Sequence, residues 1–578
     1  MQLPQFIFRQ FHRQRHRNHY VSPLPSATSV VVIFTSLLFI LLFFSPTVVS
    51  ITPESEIFSS TSELRKLYKH ESEVVAKLHE YAQALDKNLK VVQKYLEDFE
   101  KIDIRDDDED TEEIVENPMN AYHILKRTVI DWEVVAETIK NHTQVGDLAG
   151  EIIKKGEQLP SFEDFIGGSM ALVGLQDTYA LNLSEIIHGD LPTESVVQRS
   201  PYELSARDCL FLGKAAFNKG LYDRAVGWLE MALSRSKEES EDETLLIPTA
   251  TKEEILPFLE TTRRVHDEVL EKRGPYGETW QTFEKPINGK LAKMRKYQKI
   301  KRYQPKLMVP LTPVEENENF KALCRGENLR SPKLDAPLKC RYLRRPSSVS
   351  ILKPYKVEEH SIDPYIVVYH NFMSQLEMDY FKEHSTSRLK RSLHQGRDGR
   401  YVATDIRTSK QAWLNKDDGP LIDKISTRIG DATGLEVFPE NEASEIYQVA
   451  NYGMAGRYSP HTDYITGEDH LHNPLELIRG NRIATFMVYL EDVPAGGSTV
   501  FPLIGVKVRP RKGAAVFWWN LRTDGRGDPW TRHAGCSVLY GNKWITNKWI
   551  RYHHQFKKIP CVKEPDNERT ASFQTLAY

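Results

Sequence analysis

Apolar residues recur at helical spacing through the first third of the chain. Over residues 62–100, Leu64, Leu78, Leu85, Val92 and Phe99 share one heptad position, interrupted by Glu71. Leu67, Val74, Tyr81 and Tyr95 share a second, on which Asn88 also falls. The pattern predicts a long helix, and its seam has two readings. It is either a coiled coil for self-association, with Asn88 fixing register, or an amphipathic face packed within its own domain. The acidic run 105–113 reads as a solvated loop. Asn117-Pro118 then opens a helix through Tyr122, Leu125, Val129 and Trp132, and helical patterns continue to about Asp190, with Gly167-Gly168 as a break.

Residues 202–236 alternate small and apolar positions at helix-hairpin spacing. Leu212, Gly213, Gly220, Tyr222, Ala225 and Ala232 fit the tetratricopeptide pattern, a groove for an extended peptide, and a plain helical hairpin fits them equally. One repeat cannot bury its apolar face alone, so helices over 255–270 are expected to cap it. Pro, Gly and basic residues dominate 273–353, which reads as a linker. From Tyr355 the period changes. Short β-rich runs at 366–369, 446–452, 483–490, 514–519 and 537–540 lie between turns, with a short helix at 375–384. Strands at this spacing predict a sandwich or jelly roll, which would bring distant residues together.

The 578 residues exceed what one core holds, and a net charge of -3 argues against bulk nucleic-acid binding. Arg9, Arg13, Arg15 and Arg17 precede an uncharged apolar run at 30–44. That run is shorter than the roughly 20 residues of a bilayer span. It reads as a secretory signal cleaved near Ser50, the alternative being an uncleaved anchor. Both deliver the chain to an oxidising lumen, where Asn141 and Asn182 are glycosylation acceptors. The five cysteines form no C-x-x-C. The sequence-near pairs Cys324–Cys340 and Cys536–Cys561 are the expected disulfides, leaving Cys209 as a buried thiol.

Candidate chemistry gathers in the β-rich part. His461 and Asp463, two apart on an extended segment, point the same way. With His533 they complete two imidazoles and a carboxylate, the facial-triad set for non-haem Fe(II). His470 and His472 are rivals for the third position, and His533 is preferred because a strand holds a ligand more rigidly than a loop. Lys543 would offer a point charge to the far carboxylate of a 2-oxo diacid. Tyr452, Tyr458 and Thr499 could add hydroxyl hydrogen bonds. Phe517, Trp518 and Trp519 could form an apolar wall, though alternation along a strand sends at least one of them into the core.

The stretches Val449-A-N-Y-G-M-A-G-R-Y-S-P-H-T-D463, Gly496-G-S-T-V-F-P502, Ala515-V-F-W-W-N-L521, His533-A-G-C-S-V-L-Y-G-N-K-W544 and Asn547-K-W549 resemble the catalytic domain of collagen prolyl 4-hydroxylase alpha subunits. Asn117-P-M-N-A-Y122 and Leu175-Q-D-T-Y179 resemble the family's N-terminal domain, the hairpin its peptide-binding domain, and the segments at Cys324 and Cys340 its inter-domain disulfide. The resemblance implies helices followed by a double-stranded β-helix. The expected domains are a signal or anchor at 1–50, a helical dimerisation domain at 51–192 and a tetratricopeptide-like domain at 200–272. A linker with a disulfide loop at 273–354 and a dioxygenase domain at 355–562 complete the chain. It implies hydroxylation of C4 of proline in X-Pro-Gly repeats of collagen-like peptides, with Fe(II), 2-oxoglutarate, dioxygen and ascorbate. It also implies residence in the endoplasmic reticulum lumen and assembly as two alpha with two beta subunits, the beta subunit being protein disulfide isomerase. The final Thr575-L-A-Y578 is no retention tetrapeptide, which fits retention by that partner. His461, Asp463 and His533 match the family's iron ligands and Lys543 its 2-oxoglutarate lysine. Where the family usually has a histidine, eight positions after Lys543, this chain has Arg551, so altered 2-oxoglutarate affinity is expected. Two other functions fit the same residues: an inactive peptide-binding scaffold, or a lumenal oxygenase acting on other peptidyl residues.

Overall fold

A computed structural model describes residues 57–84, 90–101, 114–141, 146–192, 197–239, 247–273, 304–392, 394–395, 401–402, 407–466 and 474–560. The basic leader and apolar run, the acidic run, Asn88, His470, His472 and Cys561 lie outside them. Among the described residues no helix is long and apolar enough to cross a membrane.

The described part of the N-terminal half is helical. Thr61–Ala84 and Lys90–Glu100 pack on one another. Leu64, Leu67, Val74, Leu78, Tyr81, Val92, Tyr95 and Phe99 are all buried in one core with Leu125, Trp132 and Leu172. The described seam is therefore consumed within the chain, as the packed-helix reading requires. Glu71, the polar interruption of that seam, is fully buried. Its Oε2 accepts from Arg127 Nη2 at 2.9 Å, Arg127 Nε also donates to it, and the Tyr95 hydroxyl donates at 3.2 Å. A carboxylate buried this deeply needs such a partner, because the desolvation cost of a lone charge is several kcal/mol or more.

Asn117 caps the next helix, Pro118–Lys126, by accepting from Met119 N at 2.9 Å. The helix runs through a π-helical segment at Arg127–Asp131 into Trp132–Asn141. Gly167 and Gly168 do not break a helix, contrary to expectation. They lie inside Phe162–Tyr179. A methyl at Gly167 would meet Phe58 at 2.2 Å and one at Gly168 would meet Leu125 at 2.7 Å. Their smallness serves close packing. Further on, helices Ala206–Asn218 and Tyr222–Glu238 form a hairpin, and a single helix, Lys252–Arg273, packs against its second member.

The C-terminal half is β-rich. A nine-stranded antiparallel sheet runs in the order Cys340–Leu343, Tyr355–Ser361, Ile366–His370, Ala515–Trp519, Arg482–Tyr489, Lys543–Arg551, Tyr447–Tyr452, Lys410–Leu414, Lys390–Arg391. One face packs on helices Gln375–Thr386 and Pro420–Thr433, through Phe381, Ile422, Ile425 and Ile429. The other packs on a four-stranded antiparallel sheet, ordered Tyr458–His461, His533–Gly535, Thr499–Phe501, Val506–Val508, with Met487, Tyr489, Phe501 and Trp518 in the shared core.

The disulfides differ from the expected local pairs. Cys324 bonds Cys536, 212 positions away, while Cys340 is a free, exposed thiol on an edge strand. Cys324 ends the helix Pro313–Cys324, which buries Phe320 and Leu323 against Val500 and Ala534 of the smaller sheet. Tertiary packing, not proximity along the chain, brings the two sulfurs together. The described part of the expected linker is accordingly built into the β-rich half. Cys209 is free and buried, and desolvation raises its thiol pKa.

Candidate metal centre

The site begins at the end of the strand Tyr447–Tyr452, where the chain turns through Gly453–Gly456 into Tyr458–His461. Residues at the N-terminal end of the helical part clasp this turn. Gly453 N donates to Ser59 O and Met454 N to Phe58 O, both at 3.0 Å. A methyl at Gly453 would lie 2.3 Å from Phe58 O, so only glycine admits the clasp. Asn451 Oδ1 accepts from Ser60 Oγ at 2.5 Å and from Ser62 N at 3.2 Å.

From this anchored turn the smaller sheet pairs His461 directly with His533 on the neighbouring strand. Both rings are oriented alike. His461 Nδ1 lies 2.9 Å from Ser459 O, and His533 Nδ1 lies 2.9 Å from Thr531 O. A carbonyl can only accept, so each Nδ1 carries a proton, and the neutral ring presents its lone pair at Nε2. Asp463 completes the group, with Oδ1 3.6 Å from His461 Nε2 and Oδ2 3.7 Å from His533 Nε2. One donor atom from each of the three residues lies within 4.8 Å of the others. Burial opposes ionisation of Asp463, but the two imidazoles and Arg482 outweigh it and hold the carboxyl far below its usual range. Desolvation, with help from His533, pulls His461 down to about 4. A carboxylate and two imidazole nitrogens converging on one point are what a hard-to-borderline divalent ion requires of its ligands.

Aromatic rings wall the group. Tyr458 stacks on His461 at 3.5 Å between centroids, and Trp518 meets His533 edge-on at 4.7 Å. Phe517 and Trp519 project into the helix-packed core instead, as alternation along the strand demands.

Lys543 is 1% exposed and its Nζ lies over the Tyr452 ring at 4.8 Å. A methyl at Gly535, two positions after His533, would meet that Nζ at 3.4 Å, so the ammonium borders the strand that carries His533. Desolvation lowers its pKa to about 7. Thr499 is buried, and its hydroxyl accepts from Tyr489 at 2.6 Å. Arg551 is also buried, with Nη2 2.8 Å from Glu445 Oε1 and Nη1 donating to Gly480 O at 2.9 Å. Glu445 also holds Arg482, whose Nη1 donates to Asp463 O at 3.3 Å and whose guanidinium lies 3.9 Å over Trp549. Arg551 is thus one end of a chain of charges reaching the backbone of Asp463.

Several of these residues were not singled out from the sequence. Thr485 donates to Asp463 Oδ2 at 2.7 Å and accepts from Asn520 Nδ2 at 2.8 Å. The alternation Thr485, Met487, Tyr489 within an apolar strand was a usable signal, because it puts two hydroxyls on one sheet face. Glu445 and Arg482 carried no local signal of pairing.

Residues 60–193 match the family described as Prolyl 4-Hydroxylase alpha-subunit, N-terminal region, and residues 447–551 match the 2OG-Fe(II) oxygenase superfamily. The chain is 34% identical over 550 residues to prolyl 4-hydroxylase subunit alpha-2 of Gallus gallus, covering 90% of this chain and 98% of that one. It is 33% identical over 529 residues to subunit alpha-1 of Homo sapiens, covering 87% and 95%. Among solved structures, viral collagen prolyl hydroxylase from Paramecium Bursaria Chlorella virus-1 in its 2OG complex is 26% identical, with a TM-score of 0.25, covering 32% of this chain and 95% of that one. Identity sustained across nearly the whole length of both chains, together with an oxygenase match that spans the His461–Asp463–His533 group, shows that this chain belongs to the prolyl 4-hydroxylase alpha-subunit family, whose catalytic domain is a 2-oxoglutarate and Fe(II)-dependent dioxygenase.

Proposed function

We propose that this chain is the catalytic subunit of an enzyme that hydroxylates C4 of proline in X-Pro-Gly repeats of collagen-like peptides. The observation that carries the reading is the donor set: two Nε2 lone pairs and one carboxylate within 4.8 Å, each ring fixed from behind by a carbonyl. His461, Asp463 and His533 would hold Fe(II). When bound, the ion would supply the oxidative chemistry that couples decarboxylation of 2-oxoglutarate by dioxygen to hydroxylation of the proline, with ascorbate as reductant.

The chain's own residues bind, orient and exclude. Lys543 in its ammonium form pairs with the distal carboxylate of 2-oxoglutarate, a contact that water cannot screen in so buried a position. Thr499 and Tyr452 border that pocket. Thr485 and Arg482 hold Asp463 in place from its side chain and its backbone. Tyr458, Phe501 and Trp518 keep bulk water from the reacting bond.

The same reading assigns a double-stranded β-helix to the facing sheets and a tetratricopeptide-like peptide groove to the hairpin at 206–238. It assigns the endoplasmic reticulum lumen as the location, with 1–50 as signal or anchor and Asn141 and Asn182 as glycan sites; Asn182 is exposed. The partner would be protein disulfide isomerase, in a tetramer of two alpha and two beta subunits. Self-association would use outward faces of the N-terminal helices, since their described apolar seam is buried.

The test is incubation of the full chain, co-expressed with the disulfide isomerase, with (Pro-Pro-Gly)n peptide, Fe(II), ascorbate and 2-oxoglutarate labelled at C1. Peptide-dependent release of labelled CO2 with formation of 4-hydroxyproline is the expected result. Peptide binding without turnover would replace it with the scaffold reading, and turnover only on other peptidyl residues with the alternative oxygenase.

A further inference from the structure

A cleft of about 190 Å³ lies where four parts of the chain meet. One wall is the helix Phe162–Tyr179, through Gly174, Asp177 and Thr178. A second is the turn of the helical hairpin, through Lys219 and Leu221. A third is the strand that ends in His461, through Arg457, Ser459 and Pro460, and the helix Pro313–Cys324 adds Asn317, Phe320 and Lys321. Its charge is uneven. Lys219, Lys321 and Arg457 line it against one carboxylate, Asp177. That carboxylate is already engaged, with Oδ2 2.8 Å from Lys321 Nζ. Gly174 has no side chain to fill the space, and a methyl there would find Arg457 Nη1 at 3.5 Å and Lys219 Nζ at 3.6 Å. Two cationic head groups therefore flank the same point, and among the described residues no carboxylate is within ion-pair distance of Arg457.

We infer that this cleft is a subsite for an acidic side chain of the substrate peptide, bound by Arg457 and Lys219 while the reacting proline sits at the metal centre. The inference rests on the peptidyl-proline reading above. The wall that carries Arg457 is the same segment that delivers His461, and Ser459 O, on that wall, orients the His461 ring. The cleft is lined both by the hairpin turn and by the segment leading to His461, so a peptide lying along it would reach from one toward the other. Four residues of strand from Arg457 to His461 span roughly 13 Å at about 3.3 Å each. A polyproline II peptide advances about 3.1 Å per residue, so the acidic residue falls about four positions from the target proline. The surplus of positive charge selects Glu or Asp over Gln, Asn or Lys.

The experiment uses the full chain co-expressed with its beta subunit. Fluorescein-labelled (Pro-Pro-Gly)n peptides carry Glu, Gln or Lys at X positions one and two triplets to either side of a single target proline. Kd is read by anisotropy and KM by CO2 release. The expected result is that one Glu register binds about two- to fivefold more tightly than its Gln counterpart, and Lys more weakly than Gln. The difference shrinks with added salt. It disappears in Arg457→Gln and persists in Arg457→Lys. Equal Kd for Glu and Gln peptides at every register overturns the inference, and that comparison needs only the wild-type chain should a variant fail to fold. Glu-selective binding without turnover would overturn the hydroxylase reading and leave the subsite standing; turnover without Glu preference would do the reverse.

Discussion

Thr485 Oγ1 donates to Asp463 Oδ2 at 2.7 Å, and Asn520 Nδ2 in turn donates to Thr485 Oγ1 at 2.8 Å. The single hydroxyl proton of Thr485 is therefore committed to the carboxylate, and the amide behind it fixes the rotor. Asp463 is held in one orientation by a residue on the large sheet, while both histidines belong to the small one.

Thr485→Val should keep the shape and lose the bond. Supporting contacts of this kind are worth about ten- to a hundredfold in metal affinity. Titration with Co(II) as a spectroscopic probe should show weakening on that scale, with Thr485→Ser close to wild type. Unchanged affinity in the valine variant would mean that Asp463 needs no support.

If Lys543 binds 2-oxoglutarate as proposed, that binding should depend on pH. Burial brings its pKa down to about 7 in the free chain, and only the ammonium form attracts a carboxylate. The protonated fraction falls as pH rises through 7, so the Kd for 2-oxoglutarate should rise toward about tenfold per pH unit above it. Calorimetry between pH 6.5 and 8.5 reads this directly. Lys543→Met should bind weakly, with a much flatter profile.

Lys548 is the other buried ammonium of the same strand, on the opposite face. It lies 4.3 Å over the Tyr447 ring with Nζ unbonded within the described residues, and desolvation lowers its pKa to about 7. Its folded pKa lies below the unfolded value near 10.4, so the unfolded state holds more protons between those limits and stability rises with pH across them. The cost of burying this charge is fully present below pH 7. Lys548→Met should therefore raise Tm by several degrees at pH 6.5, and by less at pH 9. A lower Tm at both pH values would show that the lysine has a partner it needs.

The Cys324–Cys536 bond joins the end of a helix to the residue after the strand that carries His533. Replacing both cysteines by serine should cost about 2–5 kcal/mol of stability and weaken metal binding through His533. Cys340→Ser should change neither, because that thiol is free and exposed. Thermal melts of the variants, with peptide mapping under non-reducing conditions, check both statements.

Arg551→His removes a guanidinium bonded to Glu445 and Gly480 O. Glu445 keeps Arg482, so the fold should survive, while the link toward Asp463 loosens. A changed KM for 2-oxoglutarate in steady-state decarboxylation is the expected outcome. An unchanged KM would assign Arg551 to structural pairing alone.

Strands were legible as short β-rich runs between turns. The runs 483–490 and 514–519 are buried on both faces, and pleating along a strand required that Trp518 and Trp519 part company, one toward His533 and one toward the helices. The His-x-Asp spacing announced itself because two positions along an extended segment share a side. Other features depended on partners far along the chain. Glu71 looked like a flaw in an apolar seam until Arg127 accounted for it. Gly167-Gly168 looked like a break because local propensity says so, whereas Phe58 and Leu125 need the space.

The order of residues alone settled the donor types, their spacing and the periods of the elements that carry them, since those depend on backbone geometry and neighbours a few positions away. Tertiary structure decided which distant groups meet: Cys324 with Cys536, Thr485 with Asp463, Arg551 with Glu445. Such pairings follow from how sheets and helices stack, and stacking reflects the whole buried surface, which no local window of sequence contains.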